Sequence, residues 1–395
     1  MTYVTERLGK MRVLDADTHL METPRWIFDF ADPEIQRKMS SWNPFVGRNS
    51  EFEQAMDSMM PGALPSALEQ KTRAQREAEA PERFMSDKNF RVAGARYPEE
   101  RPAVIDLMGV EKQVVFSTFS IGQFYSKNIG SDCSWDIDLL YGGATAHNRG
   151  MADFCGHDSR MVGTGFVPLE DPDRSIRALE EALELGCGAI YIPHAVPEKH
   201  SWSHPCYEGI WARIAEAGVP MVMHGGSGDK MIDLPAKIYD NGRPTFHVMG
   251  DGTWQMADMM SWHWPVQLML TQLIMDGVFE RHPSLRCAVV ELRANWVPAF
   301  MEQLDQMHYW AYSNPLYPNE YRLPMRASDY VRRQVKFTPW TQGGDQVGRM
   351  IDHIEGSESL FMFSSDWPHH EGSHDPIGNF EKELEFISDR HDFLS

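Results

Sequence analysis

The strongest constraint on how this chain can fold is a repeat. Eight short β-branched or apolar runs alternate along it with longer stretches of amphipathic, helical period. The runs are VLDADTH (13–19), VEKQVVFST (110–118), MVGTGFVPL (161–169), GAIYIPH (188–194), VPMVMHGG (219–226), RCAVVELR (286–293), QVKFTPW (334–340) and LFMFSSDWPH (360–369). Strand-then-helix units imply parallel strands, because a parallel connection needs a crossover long enough to hold a helix. Eight of them predict a (β/α)8 TIM barrel, with an open doubly wound sheet as the other architecture the alternation allows.

The segments between the runs carry helix end signals. DPDRSIRALEEALELG opens on acids and closes on Gly186, as capping and the helix dipole favour. SHPCYEGIWARIAEAG stops at Gly218, and WPVQLMLTQLIMDGVFERHP at Pro283. Residues 35 to about 100 and 227–262 do not fit the repeat. They are expected as insertions in one barrel domain spanning 1–395, the second placed where a lid or substrate wall is built, beyond a strand's C-terminal end.

Composition narrows the function. The 395 residues are 42% hydrophobic and 24% charged, which suits a large globular core. Lys and Arg total 37 against 57 Asp and Glu, and a net charge of -20 removes the electrostatic footprint of a nucleic-acid binder. Cys133, Cys155, Cys187, Cys206 and Cys287 include no CxxC pair, and their odd number argues against a disulfide framework, so buried reduced thiols are expected. The N-terminus does not resemble a signal peptide, and no run reaches the ~18 apolar residues of a spanning helix. A cytoplasmic protein without a membrane partner is the expectation.

In a barrel, side chains at the C-terminal ends of the strands converge on one mouth. The first run ends with Asp15, Asp17 and His19, and strand period two aims Asp17 and His19 at the same side. The fifth ends in His224, followed by Gly225 and Gly226, and the eighth ends in Asp366. Alone, each is an ordinary cap, turn former or satisfied polar group. Together Asp17, His19, His224 and Asp366 form a mixed nitrogen and oxygen set suited to one divalent metal ion, zinc or manganese.

DADTHLMETP, VMHGG, FERHPSLRCAVVELRANWVPAFMEQLD and FSSDWPHHEG resemble, in order and spacing, the motifs of the amidohydrolase superfamily, from about residue 11 to 376. The branch resembled is the amidohydrolase 2 group, typified by aminocarboxymuconate-semialdehyde decarboxylase and the aromatic acid decarboxylases. The resemblance implies a distorted (β/α)8 barrel with one divalent metal. The family's first-strand motif is His-x-His, or Glu-x-His in several aromatic decarboxylases, and this chain has Asp17-Thr18-His19. His224 and Asp366 match the family's fifth-strand histidine and eighth-strand aspartate. On the sixth strand, where many members carry a histidine, this chain has Glu291, which would act as acid or base or would only orient a ligand. The fourth run ends without a lysine, so the carbamylated lysine that bridges two metals in other amidohydrolases has no candidate.

Two reactions follow. One is nonoxidative decarboxylation of an aromatic or unsaturated carboxylic acid, with Asp366 or Glu291 as proton donor and Arg293 as a contact for the substrate carboxylate. The other is hydrolysis of an amide, ester or C–C bond by metal-activated water, with Asp366 as base. The acidic first-strand residue and the branch resembled favour decarboxylation. A metal-dependent binding protein is the non-enzymatic alternative, and a homodimer is expected from the family.

Other features have plainer readings. GGSGDK (225–230) lacks the P-loop spacing, and His282 reads as a helix-end residue. Trp254, Trp262, Trp264 and the methionines of 248–260 are either core or an aromatic substrate wall. Arg293 shares strand parity with Glu291 and would pair with it or with substrate. His263 and His369 lie near the expected mouth but lack a partner at ligand-type spacing.

Overall fold

The computed structural model describes residues 2–8, 12–22, 26–40, 71–118, 120–121, 136–225, 242, 256–341, 344–354, 356–369 and 372–383. Seven parallel strands follow one another around the sheet in chain order. They are β1 (Leu14–Leu20), β2 (Lys112–Ser117), β3 (Met161–Phe166), β4 (Ala189–Tyr191), β5 (Met221–His224), β6 (Cys287–Val290) and β7 (Val335–Phe337).

The eighth run closes the circle without forming a regular strand. Phe361 bridges to Phe337 of β7, and Trp367 bridges to Thr18 of β1. Backbone hydrogen bonds join Ala16 N–H to Phe363 O (3.0 Å), Asp366 N–H to Asp17 O (3.0 Å) and His19 N–H to Trp367 O (2.7 Å). The irregularity has a local cause: Asp366 has a φ of 51°, and a strand cannot run through left-handed backbone. The architecture is therefore a distorted (β/α)8 barrel. The open doubly wound sheet is ruled out by the closing bridges.

Alternation along the strands divides the core in two. Phe116, Phe166, Ala189, Tyr191, Val222, Ala288 and Val290 belong to a cluster filling the barrel interior. Their strand neighbours Met221, Met223, Cys287 and Val289 belong to the layer between sheet and helices. The helices fill the expected segments, with one difference. The segment after Trp264 is two helices, Trp264–Met275 and Val278–Arg281, because Gly277 takes a φ of 77° that ends the first and leads into the second.

Residues 41–70 of the first expected insertion and most of the second lie outside the described residues; the described parts include the helices Arg73–Arg83 and Met256–Ser261. No described helix is long and apolar enough to cross a membrane. Cys155, Cys187 and Cys287 are buried free thiols, whereas Cys206 is only half-buried and Cys133 lies outside the described residues.

A buried histidine in the wall makes the fold sensitive to acid. His147, on the helix Ile137–Cys155, lies between Asn148 Oδ1 (3.1 Å) and Ser117 Oγ (3.2 Å), and burial pushes its pKa down to about 4. An unfolded histidine takes its proton near pH 6.5. Stability is therefore complete above about pH 6.5 and is lost as pH falls toward 4, by up to about 3 kcal/mol from this group. Urea unfolding of the wild type and His147→Gln at both ends of that window checks this; equal acid losses in the two proteins would contradict it.

Candidate metal centre

Of the four expected ligands, Asp17, His19 and His224 come together with Glu291 at the strand ends, whereas Asp366 falls in a second group with His19, Glu291 and His369. Asp17 and His19 leave β1 on the same side, with His19 Nε2 3.2 Å from Asp17 Oδ1. His224 closes β5, and its Nε2 lies 3.3 Å from both Asp17 Oδ1 and Glu291 Oε2. Asp366 Oδ1 stands 3.6 Å from His19 Nε2 and 2.9 Å from His369 Nδ1. Asp17, His19, His224 and Glu291 each offer a ligand atom within 4.8 Å of the others, as do His19, Glu291, Asp366 and His369.

Local backbone explains the convergence. Glu291, Arg293 and Asp366 have φ values of 54°, 60° and 51°, a region non-glycine residues seldom occupy. Such strain concentrates at functional sites, where surrounding structure holds it. Asp366 N–H is held by Asp17 O, and Glu291 N–H donates to Thr338 Oγ1 at 3.0 Å. Gly225 permits the close approach of the next wall: a Cβ there would sit 2.7 Å from Glu291 O and 2.9 Å from Trp262 Cζ2. Behind β1, the fully buried Arg101 donates to His19 O (3.0 Å) and lies 4.1 Å from the Trp367 ring, tying β1 to the eighth run. Asp15 is also structural: it accepts from Ser365 N–H (2.9 Å) and Ser365 Oγ (2.6 Å).

Burial and mutual proximity shift the titration of every group at the centre. Burial disfavours ionised Asp17, but His224 and His19 more than compensate and hold it below the usual carboxylate range. Burial also opposes charge on His224, yet Asp17 and Glu291 keep its imidazole above the ordinary value. Glu291 is pushed well above the carboxylate range by burial and then by Asp366. Burial and then His369 push His19 well below the histidine range. His224 Nδ1–H donates to Gly225 O at 2.6 Å, so Nε2 is the nitrogen turned toward two carboxylates. That position takes either a proton or a cation, and nitrogen with several carboxylates suits zinc or manganese.

The strand-parity pairing of Glu291 with Arg293 does not hold. β6 ends at Val290, and beyond it left-handed backbone abolishes the period of two. Arg293 Nε instead lies 3.6 Å from Asp345 Oδ1, and its guanidinium is 5.6 Å from the Trp340 ring. With burial, the Arg293 charge pushes His263 down to about 4, and His263 stacks on Trp296 with ring centres 5.4 Å apart. His282 follows the helix Val278–Arg281 at its end, as expected, and its Nε2 also lies 2.7 Å from Glu208 Oε1. Trp254 and most of GGSGDK lie outside the described residues.

His369 is the residue spacing did not reveal. It stands three residues past Asp366 across a turn closed by His369 N–H to Asp366 O (2.9 Å), and its ring stacks on His19 at 3.7 Å. The signal available was that turn, an aspartate followed three positions on by a histidine. His200, His204 and Cys206 also bring ligand-type atoms within 4.8 Å. There, however, the histidine rings stack at 4.1 Å with planes 17° apart, so their in-plane lone pairs run side by side, and His204 Nδ1 accepts Cys206 N–H at 3.2 Å.

Comparison with known proteins agrees with this architecture. The sequence family described as amidohydrolase matches residues 138–389. Decarboxylase orsB of Emericella nidulans is 26% identical over 154 residues, which is 38% of this chain and 42% of that protein. The chain thus matches less than half the length of that curated relative. An amidohydrolase from Mycobacterium avium subsp. paratuberculosis is similar in structure at a TM-score of 0.68 and 20% identity, covering 98% of this chain and 97% of the other. A 5-carboxyvanillate decarboxylase from Novosphingobium aromaticivorans, solved with manganese and 3-methoxy-4-hydroxy-5-nitrobenzoic acid, reaches 0.62 at 19% identity, covering 100% and 97%. At these identities the structural likeness speaks for the fold.

Proposed function

Because the chain belongs to the amidohydrolase family, we propose that it is a metal-dependent enzyme that removes CO2, without oxidation, from an aromatic or unsaturated carboxylic acid. The observation that carries the metal reading is His224 Nε2 turned toward two carboxylate oxygens at 3.3 Å, a position that takes either a proton or a cation. Asp17, His19, His224 and Asp366 would hold the ion. A divalent cation there supplies Lewis acidity to the substrate's hydroxyl and carboxylate oxygens. The decarboxylase reading is supported by the acidic first-strand residue and by the reactions named for the Emericella and Novosphingobium relatives.

Each protein group has a part in that reaction. Glu291, whose side chain is 16% exposed, would deliver a proton to the carbon that bears the carboxylate as the C–C bond breaks and CO2 leaves. Arg293 would hold the departing carboxylate. Trp262, against Gly225 beside Glu291, would form a wall for a flat substrate. Trp262→Ala should raise KM roughly tenfold with little change in kcat, as loss of an aromatic contact predicts. Unchanged kinetics would assign Trp262 to packing alone.

A CO2-release screen over hydroxybenzoates and related unsaturated acids, with zinc or manganese added, tests the reaction class. Stoichiometric release supports decarboxylation. Metal-dependent cleavage of amides or esters without CO2 would replace it with hydrolysis.

A further inference from the structure

Glu291 and Arg293, the proton donor and the carboxylate contact of the proposed reaction, sit on backbone that needs outside support. Both are left-handed, with φ values of 54° and 60°, and non-glycine residues persist there only where surrounding groups over-determine them. The groups that hold this segment come from beyond β7. On one side Thr338 N–H donates to Val289 O (3.0 Å), and Glu291 N–H donates to Thr338 Oγ1 (3.0 Å). On the other, Asp345 is fully buried, and its Oδ2 accepts Ala294 N–H (2.7 Å) and Trp340 N–H (3.0 Å). Asn295 N–H is a further donor to the same carboxylate. Asp345 is itself fixed by its N–H donating to Trp340 O at 3.1 Å.

The carboxylate's second oxygen, Oδ1, faces Arg293 Nε at 3.6 Å. A guanidinium is a rigid fork, so holding Nε sets the direction of its terminal nitrogens beside Trp340. We propose that Asp345 is a positioning residue that clamps the segment after β6 onto the loop after β7, fixing the backbone that aims Glu291 at His224 and the direction of Arg293. The two oxygens have separable parts. Oδ2 holds backbone, and Oδ1 holds the arginine. Asparagine in the same place keeps one oxygen for the two N–H groups but turns an amide N–H2, a donor, toward the guanidinium. Alanine removes both.

The inference rests on the roles proposed for Glu291 and Arg293, while the placement of both can be read without substrate. The test compares wild type, Asp345→Asn and Asp345→Ala by residue-resolved amide hydrogen exchange, by crystal structure, and by zinc affinity from chelator competition. In Asp345→Ala the Glu291 amide, which does not touch Asp345, should exchange roughly tenfold faster together with that of Ala294, while the amides of β5 keep wild-type rates. In Asp345→Asn exchange should stay near wild type and the Arg293 side chain should leave residue 345. For any acid the enzyme decarboxylates, the asparagine variant should raise KM roughly tenfold with little change in kcat, and the alanine variant should lower kcat as well. If the alanine variant does not fold, the position of Arg293 in the asparagine variant decides. A Glu291 amide that exchanges at the wild-type rate in Asp345→Ala would overturn the inference, as would faster exchange throughout the barrel or an Arg293 that stays in place in Asp345→Asn. Faster exchange at Glu291 with weakened zinc binding would keep the clamp and make Glu291 a group that orients a ligand, overturning the proton-donor reading instead.

Discussion

Asp366→Asn is expected to lower turnover by roughly a thousandfold while leaving the fold in place. The substitution isolates charge. Asparagine tolerates left-handed backbone as aspartate does, so the φ of 51° is kept with little added strain. The backbone bonds of residue 366, to Asp17 O and from His369 N–H, do not involve the side chain. What is lost is the carboxylate facing His19 and His369, together with its contribution to holding a cation. Steady-state kinetics and circular dichroism on the same preparation check both halves. Turnover within a few-fold of wild type would remove Asp366 from the mechanism.

The second large effect concerns Glu291, and it separates two roles. If Glu291 carries the proton, Glu291→Gln keeps size and hydrogen bonding but has no acidic proton to give. The value of kcat then falls by about 10²- to 10³-fold at unchanged metal content, which is the proposed outcome. If Glu291 only orients a ligand, metal affinity falls instead and excess metal restores the rate. The proposed proton-carrier role rests on the carboxylate's 3.3 Å approach to His224 and its 16% side-chain exposure.

These positions differ in how far a sequence can show them. Asp17 and His19 were legible because β1 is extended through both, so one intervening residue places them on one face. His224 was legible because β5 ends there and Gly225 lets the chain leave. Asp366 was found at the right end of the eighth run, although that run is held by bridges to β1 and β7 and not by a regular ladder. Periodicity failed where the backbone left the strand: past Val290 the left-handed residues carry Arg293 toward Asp345. The break at Gly277 was hidden because the apolar pattern runs on through it. His369 was hidden for another reason. Its partners are Asp366, across a turn, and Thr118, 251 residues away, and no local spacing encodes the second.

Metal analysis of the purified protein, before and after chelation and reconstitution, tests the central claim most directly. The account predicts about one zinc or manganese per chain, lost in a His224→Ala variant that still folds. A well-folded protein that binds neither ion, even after reconstitution, would contradict it and leave His224 as a protonated partner of Asp17 and Glu291.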